Sequence, residues 1–257
     1  MNLRMRQTLL TLCTAAALHL AAPPVHADAA PPPTAAQIVA AADQARGGGL
    51  PGVQWDVVIT TEDPDSDDKV RKLTVRADAD DSLAETTYPA RAAGTRLLQL
   101  GHNMWFARPD LQRPVAISAR QKMLGPAATG DVAATNYARD YDARLLREDS
   151  LAGEPVYVLE LRAKNRLVTY DAIIYWVSQQ RLLPVQAEFL TLSGKVLKTA
   201  TFEMGNRIDF HGRHLPFVSR MTIRDATNAA SVSVLDYANV GVREFPKNLF
   251  SVDTLTR

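Results

Sequence analysis

Val156-Tyr157-Val158-Leu159-Glu160-Leu161-Arg162-Ala163 decides the class of this fold. In an extended chain Tyr157, Leu159, Leu161 and Ala163 fall on one side, and Val156, Val158, Glu160 and Arg162 on the other. The same period of two runs outward from this stretch. Towards the N-terminus Trp55, Val57 and Ile59 share a face, as do Leu73 and Val75. Towards the C-terminus it recurs in Tyr175/Val177, Val185/Ala187/Phe189, Leu215/Phe217/Met221/Ile223 and Ser231 to Val240. This pattern predicts roughly ten strands.

The connectors carry turn formers. Asp63-Pro64-Asp65-Ser66-Asp67-Asp68, Leu100-Gly101-His102-Asn103, Ser193-Gly194-Lys195 and Phe210-His211-Gly212-Arg213 all stand between strand-like runs. Consecutive hairpins predict an antiparallel meander that curls into a barrel or half-barrel. Nothing in the chain has a βαβ rhythm.

Two segments depart from this period. Thr34-Ala35-Ala36-Gln37 has the form of a capping box, and Ile38, Val39 and alanines continue to Arg46 before Gly47-Gly48-Gly49. One amphipathic N-terminal helix is expected there. Ser118 to Tyr141 is the longest interruption of the strand pattern, rich in alanine, with Gly125-Pro126 and Gly130 as hinge positions. Its large apolar residues, Met123, Leu124, Val132 and Tyr137, suit short helical turns laid over a sheet as a lid.

The ends bound the class further. Arg4 and Arg6, the apolar run Leu9 to Ala22 and Val25-His26-Ala27 together form a secretory signal with cleavage expected after Ala27. No later run has the roughly 18 apolar residues of a membrane span. The single cysteine, Cys13, follows Leu12 early in the apolar run, so lipidation is not expected. Without it the chain has no thiol, which excludes disulfides, thiol catalysis and cysteine metal sites. Losing Arg4 and Arg6 takes the net charge from +1 to −1, leaving no basic surplus for nucleic acid. The organisation expected is signal 1–27, a proline-rich tether 28–33 and one domain over 34–257.

Chemical motifs are sparse. Asp63-x-Asp65-x-Asp67 has the alternate carboxylates of a calcium loop, but Asp68 and Thr74 replace its glycine and bidentate glutamate. Asp209, His211 and His214 are the one cluster of metal-type ligands, and Gly212-Arg213 between the histidines reads as a turn. There is no Gly-x-Ser-x-Gly elbow, and His102, His211 and His214 are the histidine bases beyond the signal. No catalytic residue, metal or cofactor is expected.

The chain resembles the LolA-like outer-membrane lipoprotein-sorting proteins of the periplasm, in a looser branch of that family. The matching residues are Arg108-Pro109-Asp110, Met123, Gly130-Asp131-Val132, Asn136-Tyr137, Asp140-Tyr141, Gly153, Tyr170, Trp176-Val177, Pro184 and Ser193-Gly194-Lys195. The order Gly-Asp-x5-Tyr-x3-Tyr within the break is the most specific. The resemblance implies a mainly β, α+β fold: a half-open antiparallel barrel of about eleven strands, closed by the N-terminal helix and a central helical lid. It also implies an apolar cavity for acyl chains.

On this reading the protein is a periplasmic carrier of acylated lipoprotein or lipid towards the outer membrane, served by an inner-membrane transporter and an outer-membrane acceptor. The cavity and lid residues expected are Trp55, Val57, Ile59, Met104, Phe106, Met123, Leu124, Val132, Tyr137, Tyr141, Tyr157, Leu159, Tyr175, Phe189, Phe217 and Met221. Two other classes remain open: a non-enzymatic accessory subunit of an export pump or lipid-transport complex, and a lipid hydrolase.

Overall fold

Thr34 opens the folded part of the chain in the computed structural model, which describes residues 31–256 apart from Asp65 and Lys247. The expected signal and tether residues Asp28 to Ala30 lie outside the described residues. The Thr34 side chain accepts a hydrogen bond from Gln37 N at 3.3 Å, and Gln37 Oε1 accepts from Thr34 N at 2.8 Å. This reciprocal cap satisfies two amide donors that the first helical turn leaves free, and it starts α1 (Ala35–Gln44). The helix stops two residues before the expected Arg46. Ala45 is its C-cap, and Gly47 adopts φ +87° in the turn that follows. Replacing Thr34 by alanine is expected to lower stability by about 1 kcal/mol, with Thr34→Ser close to wild type. An unchanged urea midpoint in Thr34→Ala would show that packing of Ile38 and Val39 alone fixes the helix.

The period-two stretches all become strands. β1 (Val53–Thr61), β2 (Val70–Asp78), β3 (Asp81–Tyr88), β4 (Arg96–Leu100), β5 (Asn103–Ala107) and β6 (Val115–Ile117) form a first meander. β7 (Lys122–Leu124) and β8 (Ala127–Ala128) pair only with each other, and one-turn helices α2 (Thr129–Val132) and α3 (Tyr137–Asp140) follow. The second meander is β9 (Tyr141–Leu151), β10 (Glu154–Ala163), β11 (Ala172–Ser178), β12 (Pro184–Leu190) and β13 (Val196–Glu203). After the separate hairpin of β14 (Asn206–Phe210) and β15 (Arg213–Phe217), β16 (Arg220–Asp225) and β17 (Val232–Val242) return to the main sheet.

The main sheet is antiparallel throughout, in the order β6-β5-β4-β3-β2-β1-β17-β16-β13-β12-β11-β10-β9, and it is not closed. It has 13 strands rather than about eleven. Alternation gives roughly ten, and its count omits strands with little alternation of their own. β6 is three residues long, and β9, at the opposite edge, is exposed over most of its length.

One face of this curved sheet, the inner face, carries the principal core. Trp55 and Phe217 meet at 5.5 Å between ring centroids, Tyr170 stacks on Phe189 at 4.0 Å, and Tyr137 meets Tyr175 edge-on at 5.7 Å. Helix α1 buries Ile38, Val39 and Ala42 against the same core and packs beside α3 and β9. A smaller cluster forms on the reverse of β3 to β5. There Leu83, Leu98 and Trp105 are covered by Leu249, Phe250, Val252 and Leu255 of the C-terminal segment.

Candidate ligand-binding site

Residues 118–141 lie over the inner face. Because β7 and β8 have no ladder to the main sheet, turns and side chains attach this segment. Ser233 Oγ donates to Leu124 O at 2.8 Å, and Lys122 reaches Asp63 at 2.8 Å. Arg120 pairs with Asp171 at 2.7 Å on the loop between β10 and β11.

The most buried attachment uses the signature residues. Asp131 is 3% exposed and accepts the Tyr170 hydroxyl on both carboxylate oxygens at 2.8 Å, while its Oδ2 also accepts Ala128 N at 2.8 Å. The Tyr141 hydroxyl donates to Tyr170 O at 3.1 Å and receives Tyr170 N at 3.2 Å. Burial, reinforced by the Asp131 charge, holds the Tyr170 hydroxyl well above its ordinary pKa, so it stays a donor. Removing the carboxylate with Asp131→Ala leaves a buried hydroxyl and a buried amide without an acceptor. The expected loss is about 2–3 kcal/mol in urea unfolding, together with faster proteolysis inside 118–141. A variant as stable as wild type would show that solvent or rearrangement replaces the carboxylate.

A second attachment joins α1 to α3. Asp43 Oδ2 accepts Ala138 N at 2.8 Å, and Asn136 Oδ1 accepts Gly49 N at 3.1 Å. Asp43 is fully enclosed, and burial raises its pKa to about 7 despite the amide contacts and the Arg46 charge that oppose the shift.

Arg46 lies at the centre of this junction. It is 4% exposed, with its guanidinium 4.9 Å from the Phe202 ring centroid and 5.4 Å from that of Tyr137. Nη2 donates to Met221 Sδ at 3.6 Å, and Nη1 has no hydrogen-bond partner. The other oxygen of Asp43, the hydroxyl of Tyr175 and the amide nitrogen of Asn136 are also buried without a partner. Burial pushes the Tyr137 hydroxyl up to about 12 and those of Tyr175 and Tyr237 higher still, with the Arg46 charge acting against the shift in all three.

The expected cavity residues are largely brought together. Trp55, Val57, Ile59, Leu159, Tyr175, Phe189, Phe217 and Met221 from the sheet meet Leu124, Val132, Tyr137 and Tyr141 from the covering segment in one core. Phe106, Met123 and Tyr157 pack against it half-buried, while Met104 sits in a small neighbouring cluster with Ala119 and Ala133. Their side chains pack on one another. A crevice of about 30 Å3, room for about one water, lies between Asn136, Tyr137 and Tyr141 on one side and Leu167 to Thr169 on the other. A depression of about 910 Å3 opens on the reverse face near the ends of β10 to β12, lined by Arg120, Glu160, Arg162, Ile174 and Leu192.

The candidate chemical residues are dispersed. His102 meets Asp140 at 3.0 Å at the rim. His214 pairs with Asp209 on the exposed β14–β15 hairpin, and His211 occupies its turn with φ +48°. Asp65 lies outside the described residues, and no group of three or more metal-type ligands converges among the described ones.

Asp43 and Arg46 were not among the candidate residues expected from the sequence. The available signal was position: Asp43 shares the buried stripe of a capped helix with Val39 and Ala42, and Arg46 follows two residues beyond its end.

An open antiparallel sheet whose inner face is covered by a helix and a separately attached segment defines a lid-bearing half-barrel. The LolA superfamily protein of Nitrosomonas europaea has this architecture: it is 34% identical, matches 86% of this chain and 99% of its own, and superposes with a TM-score of 0.76. This chain belongs to the LolA superfamily. A family model described as "uncharacterized protein" matches residues 78–257. An outer-membrane lipoprotein-sorting protein domain of Vibrio parahaemolyticus shares the fold at 19% identity and TM-score 0.72, over 87% of this chain and 98% of its own. A DUF1329 family protein of Desulfovibrio piger does so at 18% identity and TM-score 0.71, over 86% and 97%. No curated protein sequence matches the chain.

Proposed function

We propose that the protein is a non-enzymatic periplasmic carrier that binds the acyl chains of lipoproteins or lipids between its inner face and residues 118–141. The observation that carries this reading is the covering segment itself. It closes over an aromatic and aliphatic face while standing, up to Asp140, outside the main sheet's ladder, so it can lift without breaking that sheet. The LolA superfamily fold and the lipoprotein-sorting name of the Vibrio relative support it.

Burying an acyl chain of about 16 methylenes at about 0.8 kcal/mol each gives roughly 12 kcal/mol before the costs of ordering and opening. Lifting the segment exposes the inner-face residues named above as the binding surface. Residues 34–257 act as one carrier domain, delivered by a signal removed after Ala27. Loading at an inner-membrane transporter and release at an outer-membrane acceptor complete the cycle, each partner stabilising the open form. Among the described residues no helix is long and apolar enough to cross a membrane.

Native mass spectrometry after gentle extraction should find co-purified lipid or lipidated protein. Delipidated protein should bind fluorescent fatty acids. A preparation that is empty and also fails to bind them overturns the reading.

A further inference from the structure

A guanidinium keeps its charge at any physiological pH, and burying one without an anionic partner is costly. Arg46 is in that position. Met221 sulfur takes Nη2; the neutral hydroxyls of Tyr137, Tyr175 and Tyr237 stand near the guanidinium, yet Nη1 is in hydrogen-bonding geometry with none of them; and the acid nearest in sequence, Asp43, is hydrogen-bonded to Ala138 instead. The Tyr175 hydroxyl is likewise buried; Arg46 lies near it but out of hydrogen-bonding geometry, and no acceptor takes its proton. Tyr137 touches this pair and the crevice alike: Arg46 lies over its ring, Tyr175 meets it edge-on, and it lines the small crevice together with Asn136, whose amide nitrogen is unpartnered.

We propose that Arg46 and the Tyr175 hydroxyl form a recognition point for the oxyanion head group of an acyl amphiphile, a carboxylate or a phosphate, admitted when Tyr137 swings aside with the lid. The proposal rests on the carrier reading and deepens it, since the acyl chain would lie on the inner face. An oxyanion accepts from Nη1 and Tyr175 together, supplying the missing acceptor and a counter-charge at once. Phe202 and Met221 hold the guanidinium while its partner changes. The Asn136 amide meets the head group at the entrance.

The test compares hexadecanoic acid, hexadecyl phosphate and hexadecanol as ligands of the delipidated protein, followed by tryptophan fluorescence. In wild type the acid or the phosphate should bind about tenfold tighter than the alcohol, or better, as for a hydrogen bond to a charged group. Arg46→Met, similar in volume and apolar, should bring that ratio close to one, and Tyr175→Phe should reduce it several-fold. Which of the two anions gains more distinguishes a carboxylate from a phosphate source. Equal affinity for anions and alcohol in wild type overturns the proposal and leaves the carrier reading standing, as does a preference that survives Arg46→Met. Failure to bind all three overturns both. Because the wild-type comparison stands alone, a variant that does not fold leaves the proposal falsifiable.

Discussion

Between pH 5 and pH 8 the protein is expected to lose roughly 2–3 kcal/mol of stability, and Asp43→Asn is expected to remove most of that loss. The cause is the enclosed Asp43 carboxyl, whose pKa rises from 3.8 to about 7 on folding. The folded protein therefore holds this proton more tightly than the unfolded chain. Its stabilising contribution is complete below pH 3.8, shrinks as the pH climbs, and is gone above about pH 7. The charged groups facing it are Arg46 in the turn after its own helix and Asp140 on α3, with Tyr137 supplying an amide contact. Carboxylates such as Glu160 and Asp171, whose pKa values are lowered by Arg144 and Arg120, do not titrate in this window. Urea unfolding at unit intervals of pH would show the slope in wild type and a nearly flat line in Asp43→Asn. A wild-type midpoint constant from pH 5 to 8 would refute the assignment.

Gly48→Ala is expected to lift the covering segment and to cost about 3 kcal/mol or more, at the upper end of overpacking effects. A Cβ there would lie 1.6 Å from Thr135 O and 3.1 Å from Asn136 Oδ1, so the turn after α1 and the segment entering α3 cannot both keep their places. Hydrogen exchange of residues 129–141 should accelerate more than that of β10 to β13, because the lid lies outside their ladder. Gly49→Ala is the control. It meets nothing within 4 Å and has φ +67°, so it should show only the 1–2 kcal/mol of a left-handed conformation. Equal behaviour of the two variants would rule out the close approach as the cause.

The parts of the fold that were legible are those where one side of an element is buried. Trp55, Val57 and Ile59 alternate with half-buried or exposed residues, and that contrast is what a period of two records. The capping box at Thr34 and Gln37 is equally local, so α1 could be placed from its first four residues. β9 carried no such record. Leu145 and Leu146 are both exposed, and the strand borrows its order from β10 rather than from burial of its own side chains. In the lid, the short helical turns were visible, each helix being a single turn, but the two-stranded ladder that precedes them was not.

The inner-face residues were legible for the same reason as the strands, and the junction beneath Tyr137 was not. Charge in a sequence reads as solvent exposure, whereas Asp43 is placed by the helical stripe it shares with Val39 and Ala42, and Arg46 by the turn that follows the helix. Asp131 was visible only as part of a signature. Its partner Tyr170 comes 39 residues later, a pairing that no local period encodes.

The adjacency of β1 and β17 governs how the chain can acquire its structure. These strands run side by side, Thr61 reaching Val232 across a separation of 171 residues, and they join the two meanders into one sheet. Each meander can form from neighbouring hairpins, but the seam between them closes only once the last long strand has been synthesised. Such distant pairing slows folding. A nascent chain therefore spends nearly all of its synthesis without the central ladder, which locks only when β17 arrives.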